Sequence, residues 1–175
     1  MVVITARPLD LLIVASFGCF FVIAVTIDIL QASLTEDITA DAVSDRTWPP
    51  EWIRRSFLWW CTEVDTLVEA NPLWYRALAL TSPFLYAPFY VLAIYAFINE
   101  REWIKIPGLC WSWGLILVMF PTFAEQLAGE HATKHVGLFL VAYLPYVVFP
   151  LLFAARLAIP STVFSPDSSL VKKRS

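Results

Sequence analysis

Residues 11–27, LLIVASFGCFFVIAVTI, lie between Asp10 and Asp28 without a single charge, and this stretch decides the fold. An uncharged run of about 17 residues crosses roughly 30 Å of hydrocarbon when helical, at 1.5 Å per residue. Three further runs follow: residues 77–98 between Arg76 and Glu100, residues 106–124 after Lys105, and residues 136–155 between His135 and Arg156. Of 175 residues, 59% are hydrophobic and 15% charged, more apolar mass than a soluble domain of this length can bury. The sequence therefore reads as an all-α membrane protein. Its four transmembrane helices form one domain over residues 1–160, with spans at about 11–29, 77–98, 106–124 and 136–156, a first loop at 31–75 and a tail at 161–175.

Composition also excludes several functions. A net charge of −3, with no basic cluster beyond Lys172, Lys173 and Arg174, provides no electrostatic footprint for nucleic acid. Cys19 and Cys110 fall inside predicted spans and Cys61 in the loop, so neither a disulfide framework nor a paired-cysteine metal site arises, and no metal site is expected. The first run has no strongly basic segment before it, and Asp28 and Gln31 follow where small residues would mark cleavage. It is expected to be retained as a helix.

Four spans return both termini to one side. The short connection 99–105 carries Arg101 and Lys105, the head carries Arg7, and the tail carries Arg156, Lys172, Lys173 and Arg174, which makes those faces cytosolic by the positive-inside rule. The basic residues of the other side are spread over a long loop, where the rule weakens. Lys172-Lys173-Arg174-Ser175 fits a dilysine retrieval address for the endoplasmic reticulum. A basic tail serving plain electrostatics is the alternative.

The first loop turns from acidic to aromatic, with Trp48, Trp52, Trp59, Trp60 and Trp74 among Arg54, Arg55, Glu63, Asp65 and Glu69. Pro49-Pro50-Glu51 suits a first helical turn, and the aromatic spacing beyond it gives one apolar stripe. Such a helix either covers the mouth of the bundle or lies flat on lipid headgroups. Pro83, Pro88, Pro121, Pro145 and Pro150 fall within spans. Each removes a helical hydrogen bond and frees carbonyls that lipid cannot satisfy, which favours kinked helices around a cavity.

Asp28 and Glu125 end the first and third spans. A carboxylate at that depth is costly unless paired, hydrated or functional, and each also marks where a helix meets water. His131 and His135 are spaced to share a helix face; two histidines do not make a zinc site, and they read as solvated interfacial residues. The sequence shows no nucleophile with its base and no glycine-rich phosphate loop, so no catalytic residues and no cofactor are expected.

The order of Asn71-Pro72-Leu73-Trp74, Pro88-Phe89-Tyr90, Ala93-Ile94-Tyr95-Ala96-Phe97-Ile98, Trp103-Ile104-Lys105-Ile106-Pro107 and Tyr143-Leu144-Pro145-Tyr146 resembles the sigma intracellular receptor 2 family. Asp28 with Gln31 and Ala32 fits the same pattern. The resemblance implies a place in the EXPERA group, four-helix membrane proteins that bind sterols or cationic amphiphiles and include emopamil-binding sterol isomerases. It further implies Asp28 as counter-ion for a ligand amine, Asp65 as the loop aspartate the pocket requires, and Trp59, Trp111, Tyr143 and Tyr146 as its aromatic lining. One departure is Ser82, which stands where animal members have a glutamate that partners the first aspartate; its loss makes a neutral lipid ligand more credible.

The expectation is an endoplasmic-reticulum protein that binds a sterol or lipophilic amine without catalysis and acts in sterol handling or in membrane-protein and mitochondrial-precursor trafficking. Membrane lipids and membrane proteins are its expected partners, and a homodimer is left open because no GxxxG seam decides it. A sterol double-bond isomerase and a ligand-independent adaptor are the alternatives.

Overall fold

The computed structural model describes residues 7–35, 38–160 and 162–164. Lys172 and Lys173, with the retrieval signal assigned to them, lie outside the described residues. Four long apolar helices dominate: α1 (Pro8–Ser33), α5 (Leu73–Ile98), α6 (Glu102–Ala128) and α7 (Val136–Ala158). Between α1 and α5 come α2 (Ala40–Ser44), α3 (Glu51–Glu63) and α4 (Thr66–Ala70). The chain is a four-helix membrane protein, with apolar side chains such as Phe84, Phe120, Val141 and Leu152 turned outward from the spans.

The helices are longer than the uncharged runs. α1 continues through Asp28 and Gln31 to Ser33 rather than stopping near 29, because a polar residue ends a hydrocarbon run without ending the backbone hydrogen-bond ladder. Two spans contain widened π turns, Ala24–Asp28 in α1 and Ser82–Tyr86 in α5. The second coincides with Pro83 and lies just before Pro88, where absent N–H groups loosen the ladder. In the first, the Val25 carbonyl accepts the Trp48 indole N–H at 2.9 Å, so a loop tryptophan ties the start of α3 to α1. Pro121 and Pro150 sit inside continuous helix, and Pro145 follows a break at Leu144 in α7.

The spans pack as two pairs, α1 with α5 and α6 with α7. Gly108 closes the second pair, since a Cβ there would strike Leu157 and Phe153. Aromatic rings join the pairs: Phe17 meets Phe89, Tyr90, Trp111, Phe149 and Phe153 with centroids 5.0–5.8 Å apart. Edge-to-face and offset-stacked pairs add about 0.5–1.5 kcal/mol each beyond their burial.

At the end remote from the first loop, Asp10 is buried and bonded to Arg7 at 3.0 Å and Arg156 at 3.1 Å. Glu102 accepts the backbone N–H groups of Val163 and Phe164, and the Phe164 ring lies beneath both guanidinium groups. The chain after α7 is thereby pinned against the start of α1. Position 10 marked only the edge of an apolar run in the sequence; in the fold it is the anion of a buried ionic cluster.

The two histidines do not share a helix face. Helix α6 ends at Ala128 and α7 begins at Val136, so both lie in the connection, and the His131 ring instead bonds Glu125 at 2.8 Å.

Candidate functional site

Helix α3 lies across the mouth of the bundle, which separates the two placements left open by the sequence. Its buried face, Phe57 and Cys61, packs inward, while Trp52 and Trp59 point outward, 70% and 55% exposed. The far end is fastened to the α6–α7 connection. Thr133 and Lys134 donate to the carbonyls of Val64 and Thr62 at 2.6 and 3.0 Å, and Thr66 donates to that of His131 at 2.6 Å.

Asn71 fastens the other side. It adopts a left-handed backbone with φ of 41°, a conformation asparagine tolerates better than most residues. Its buried amide donates to the carbonyls of Gln31, Leu34 and Thr35 at 3.1–3.3 Å.

Beneath α3 is a cavity of about 540 Å³, within the usual 300–1,000 Å³ of small-molecule sites. All four spans contribute to its wall: Asp28 from α1, Tyr75 and Ser82 from α5, Met119 from α6, and Tyr143 and Tyr146 from α7, with Phe57 and Trp60 as roof. At the deep end Phe20 meets Tyr90 and Tyr146, with centroids at 5.9 and 5.1 Å. The π turns at Asp28 and Ser82 widen the two helices where the cavity lies between them.

Asp28 is half-buried on this wall, with the Ser82 hydroxyl as a polar neighbour. Ser82 therefore offers Asp28 a hydroxyl neighbour without bringing a second carboxyl. Asp65 is placed differently. It is fully buried and caps α4 by accepting the Val68 N–H at 3.0 Å. It also accepts from the Gln126 amide, the Tyr143 hydroxyl and, at 3.4 Å, the Trp60 indole. Burial pushes its carboxyl above the ordinary value of 3.8, against the pull of these bonds. Three of the four donors are N–H groups unable to accept, which is the surrounding of a carboxylate. With both oxygens engaged, Asp65 lies behind the cavity wall and meets it through Trp60 and Tyr143, whose hydroxyl also meets that of Tyr75 at 3.4 Å.

Of the residues assigned to the pocket by resemblance, Asp28, Tyr143 and Tyr146 share its wall. Trp59 does not: the inward indole is that of Trp60, because one residue along a helix turns a side chain by about 100°. Trp111 lies in the aromatic cluster around Phe17 that joins the helix pairs. Tyr75, Trp60 and Gln126 were not singled out from the sequence as site residues. Tyr75 and Tyr143 are separated by 68 positions, and no local spacing announces such a contact.

Four membrane-spanning helices capped by a loop helix over a largely apolar, tyrosine-walled cavity define a class of membrane protein. The chain belongs to the EXPERA family (EXPanded EBP superfamily), whose model matches residues 47–157. Sigma intracellular receptor 2 from Homo sapiens is 26% identical over 123 residues, covering 62% of this chain and 70% of its own length. The Macaca fascicularis protein of the same name is 25% identical over the same length and shares. The family match begins after α1, so the place of Asp28 in the site comes from the geometry.

Proposed function

We propose that this protein binds one sterol or lipophilic amine in the cavity beneath α3, without catalysis, in the membrane of the endoplasmic reticulum with both termini cytosolic. The observation that carries the reading is a cavity walled by apolar and aromatic residues with Asp28 at its edge. In such a low-dielectric site a carboxylate attracts an ammonium strongly, and tyrosine faces add cation–π attraction. A carboxylate also accepts from a neutral hydroxyl, so Asp28 accommodates both a sterol and an amine. Sterol handling, or the trafficking of partner membrane proteins, follows as the cellular role.

A double-bond isomerase needs an acid and a base placed across the substrate. Among the described residues the cavity wall has one carboxylate, Asp28, and no histidine, while His131 is engaged with Glu125. This arrangement favours binding over isomerisation. Rescue of a sterol-isomerase-deficient strain by the full chain would reverse that preference.

The direct test is photolabelling of the purified chain by a photoreactive sterol. Saturable labelling, competed by unlabelled sterol and lost in Leu78→Trp, which fills the cavity, is expected. Wild-type labelling that never saturates would leave the ligand-independent adaptor as the better reading.

A further inference from the structure

A tyrosine hydroxyl has one proton to give, and the bonds around Tyr75 fix where its proton goes. Tyr143 donates to Asp65. Asp65 returns nothing, because its oxygens already face the N–H groups of Trp60, Val68 and Gln126. In the 3.4 Å contact between the two tyrosine hydroxyls, Tyr143 must therefore accept and Tyr75 must donate. This commits the proton of Tyr75 and leaves its oxygen with lone pairs that meet no donor among the described residues. The residue is 8% exposed and lines the cavity, so those lone pairs are available chiefly to whatever occupies it.

We propose that Tyr75 is a second polar anchor of the cavity, accepting a hydrogen bond from the ligand and selecting molecules with a hydroxyl or protonated amine over acceptor-only counterparts such as ketones. The proposal rests on the cavity-binding reading above and adds a direction to it. Asp28, a carboxylate on the same wall, is likewise an acceptor. Both groups thus present acceptors to a ligand hydroxyl or ammonium, and an acceptor-only head group gains no bond from either. Burying a polar head group without its partner is disfavoured. The chain Tyr75 to Tyr143 to Asp65 is what orients the hydroxyl: Asp65 and Tyr143 act as positioning groups for an oxygen on another helix.

The experiment measures equilibrium binding of cholesterol and of its 3-keto counterpart to the full chain in lipid nanodiscs. Wild type is expected to prefer the hydroxy sterol. In Tyr75→Phe that preference shrinks by about three- to tenfold, the worth of one neutral hydrogen bond, through weaker hydroxy-sterol binding alone. Tyr143→Phe gives a distinct signature. With no acceptor for its proton, Tyr75 is free to donate to the ligand, and the 3-keto sterol gains affinity.

Thermal unfolding of each variant verifies folding, and if Tyr75→Phe does not fold, the Tyr143→Phe ratio decides. Saturable wild-type binding whose hydroxy-to-keto ratio is unmoved by both substitutions would overturn the role of Tyr75 and leave the binding reading standing. Absence of saturable binding of either sterol to wild type would overturn both.

Discussion

Removing the carboxylate of Asp65 should loosen the cap over the cavity, because one side chain holds four elements. It accepts from Trp60 on α3, Val68 on α4, Gln126 on α6 and Tyr143 on α7. A hydrogen bond to a charged group contributes about 1.5–3 kcal/mol. Four would exceed what single substitutions commonly cost, but the Trp60 bond is long at 3.4 Å, and removal also relieves the cost of keeping a charge from water. Loss of the partner to several buried donors places Asp65→Ala at about 3–5 kcal/mol. For a chain of this size each kcal/mol moves the unfolding midpoint by about 2–4 °C, so a drop of roughly 6–20 °C is expected. Asp65→Asn retains a carbonyl oxygen for the Val68 cap and an amide that Tyr143 can accept from, and should cost about 1–2 kcal/mol.

The assay is thermal unfolding of the detergent-purified chain, followed by intrinsic tryptophan fluorescence. Its pH dependence has a definite sign. The folded state binds the Asp65 proton more tightly than the unfolded chain, so this group's contribution to stability is complete below the ordinary value of 3.8 and declines as pH rises through the higher folded value. The lead of wild type over Asp65→Asn should accordingly be larger near pH 5 than near pH 8 (about three units apart). An Asp65→Ala midpoint within about 2 °C of wild type would refute the account of this residue as the clasp of the cap.

Cys61 is on the buried face of α3 near Asp65, and burial together with that charge pushes its thiol far above the ordinary range. It is expected to resist maleimide in the folded protein and to react on denaturation, as read by mass spectrometry; prompt native labelling would mean that α3 does not stay closed. Asp28→Asn keeps the size of a side chain that no ion pair ties into the fold among the described residues, so its unfolding midpoint should stay within about 2 °C, while affinity for a lipophilic amine falls by about tenfold or more in a competition assay with loss of the counter-ion. Equal affinity would remove Asp28 from the amine site. At the opposite end, Arg156→Ala leaves buried Asp10 with Arg7 as its remaining ionic partner and should destabilise by about 2–3 kcal/mol in the same melts. An unchanged midpoint would show that Arg7 alone suffices.

The four spans were legible because crossing hydrocarbon is a one-dimensional requirement: length and absence of charge suffice, and both are read along the chain. Their true ends were less so, since α1 carries its helix past Asp28 and Gln31 to Ser33. The cavity was legible only as a tendency. Five prolines said that the spans bend, and the π turns at Ala24–Asp28 and Ser82–Tyr86 now account for where α1 and α5 widen. Pro121 and Pro150, equally conspicuous in sequence, sit in helix that continues through them. A proline reports a missing N–H, and neighbouring packing decides whether the chain bends there.

The site was harder to read for a reason that Trp59 and Trp60 make concrete. Both are tryptophans on one helix, and only Trp60 lines the cavity because α3 is covered on one face only. Resemblance to a family fixes a position to within a residue or so, whereas a helix turns by about 100° per residue, so a small error in register exchanges roof for outer surface. Tyr75 shows the complementary difficulty. Its chemistry is set by Tyr143, whose proton goes to Asp65, a third residue on a separate segment. Whether a hydroxyl gives or accepts is thus a property of the network, and no reading of position 75 alone contains it. The sequence displays Asp28 and Asp65 as two similar acids; the fold makes one an acceptor on the cavity wall and consumes the other in holding that wall together.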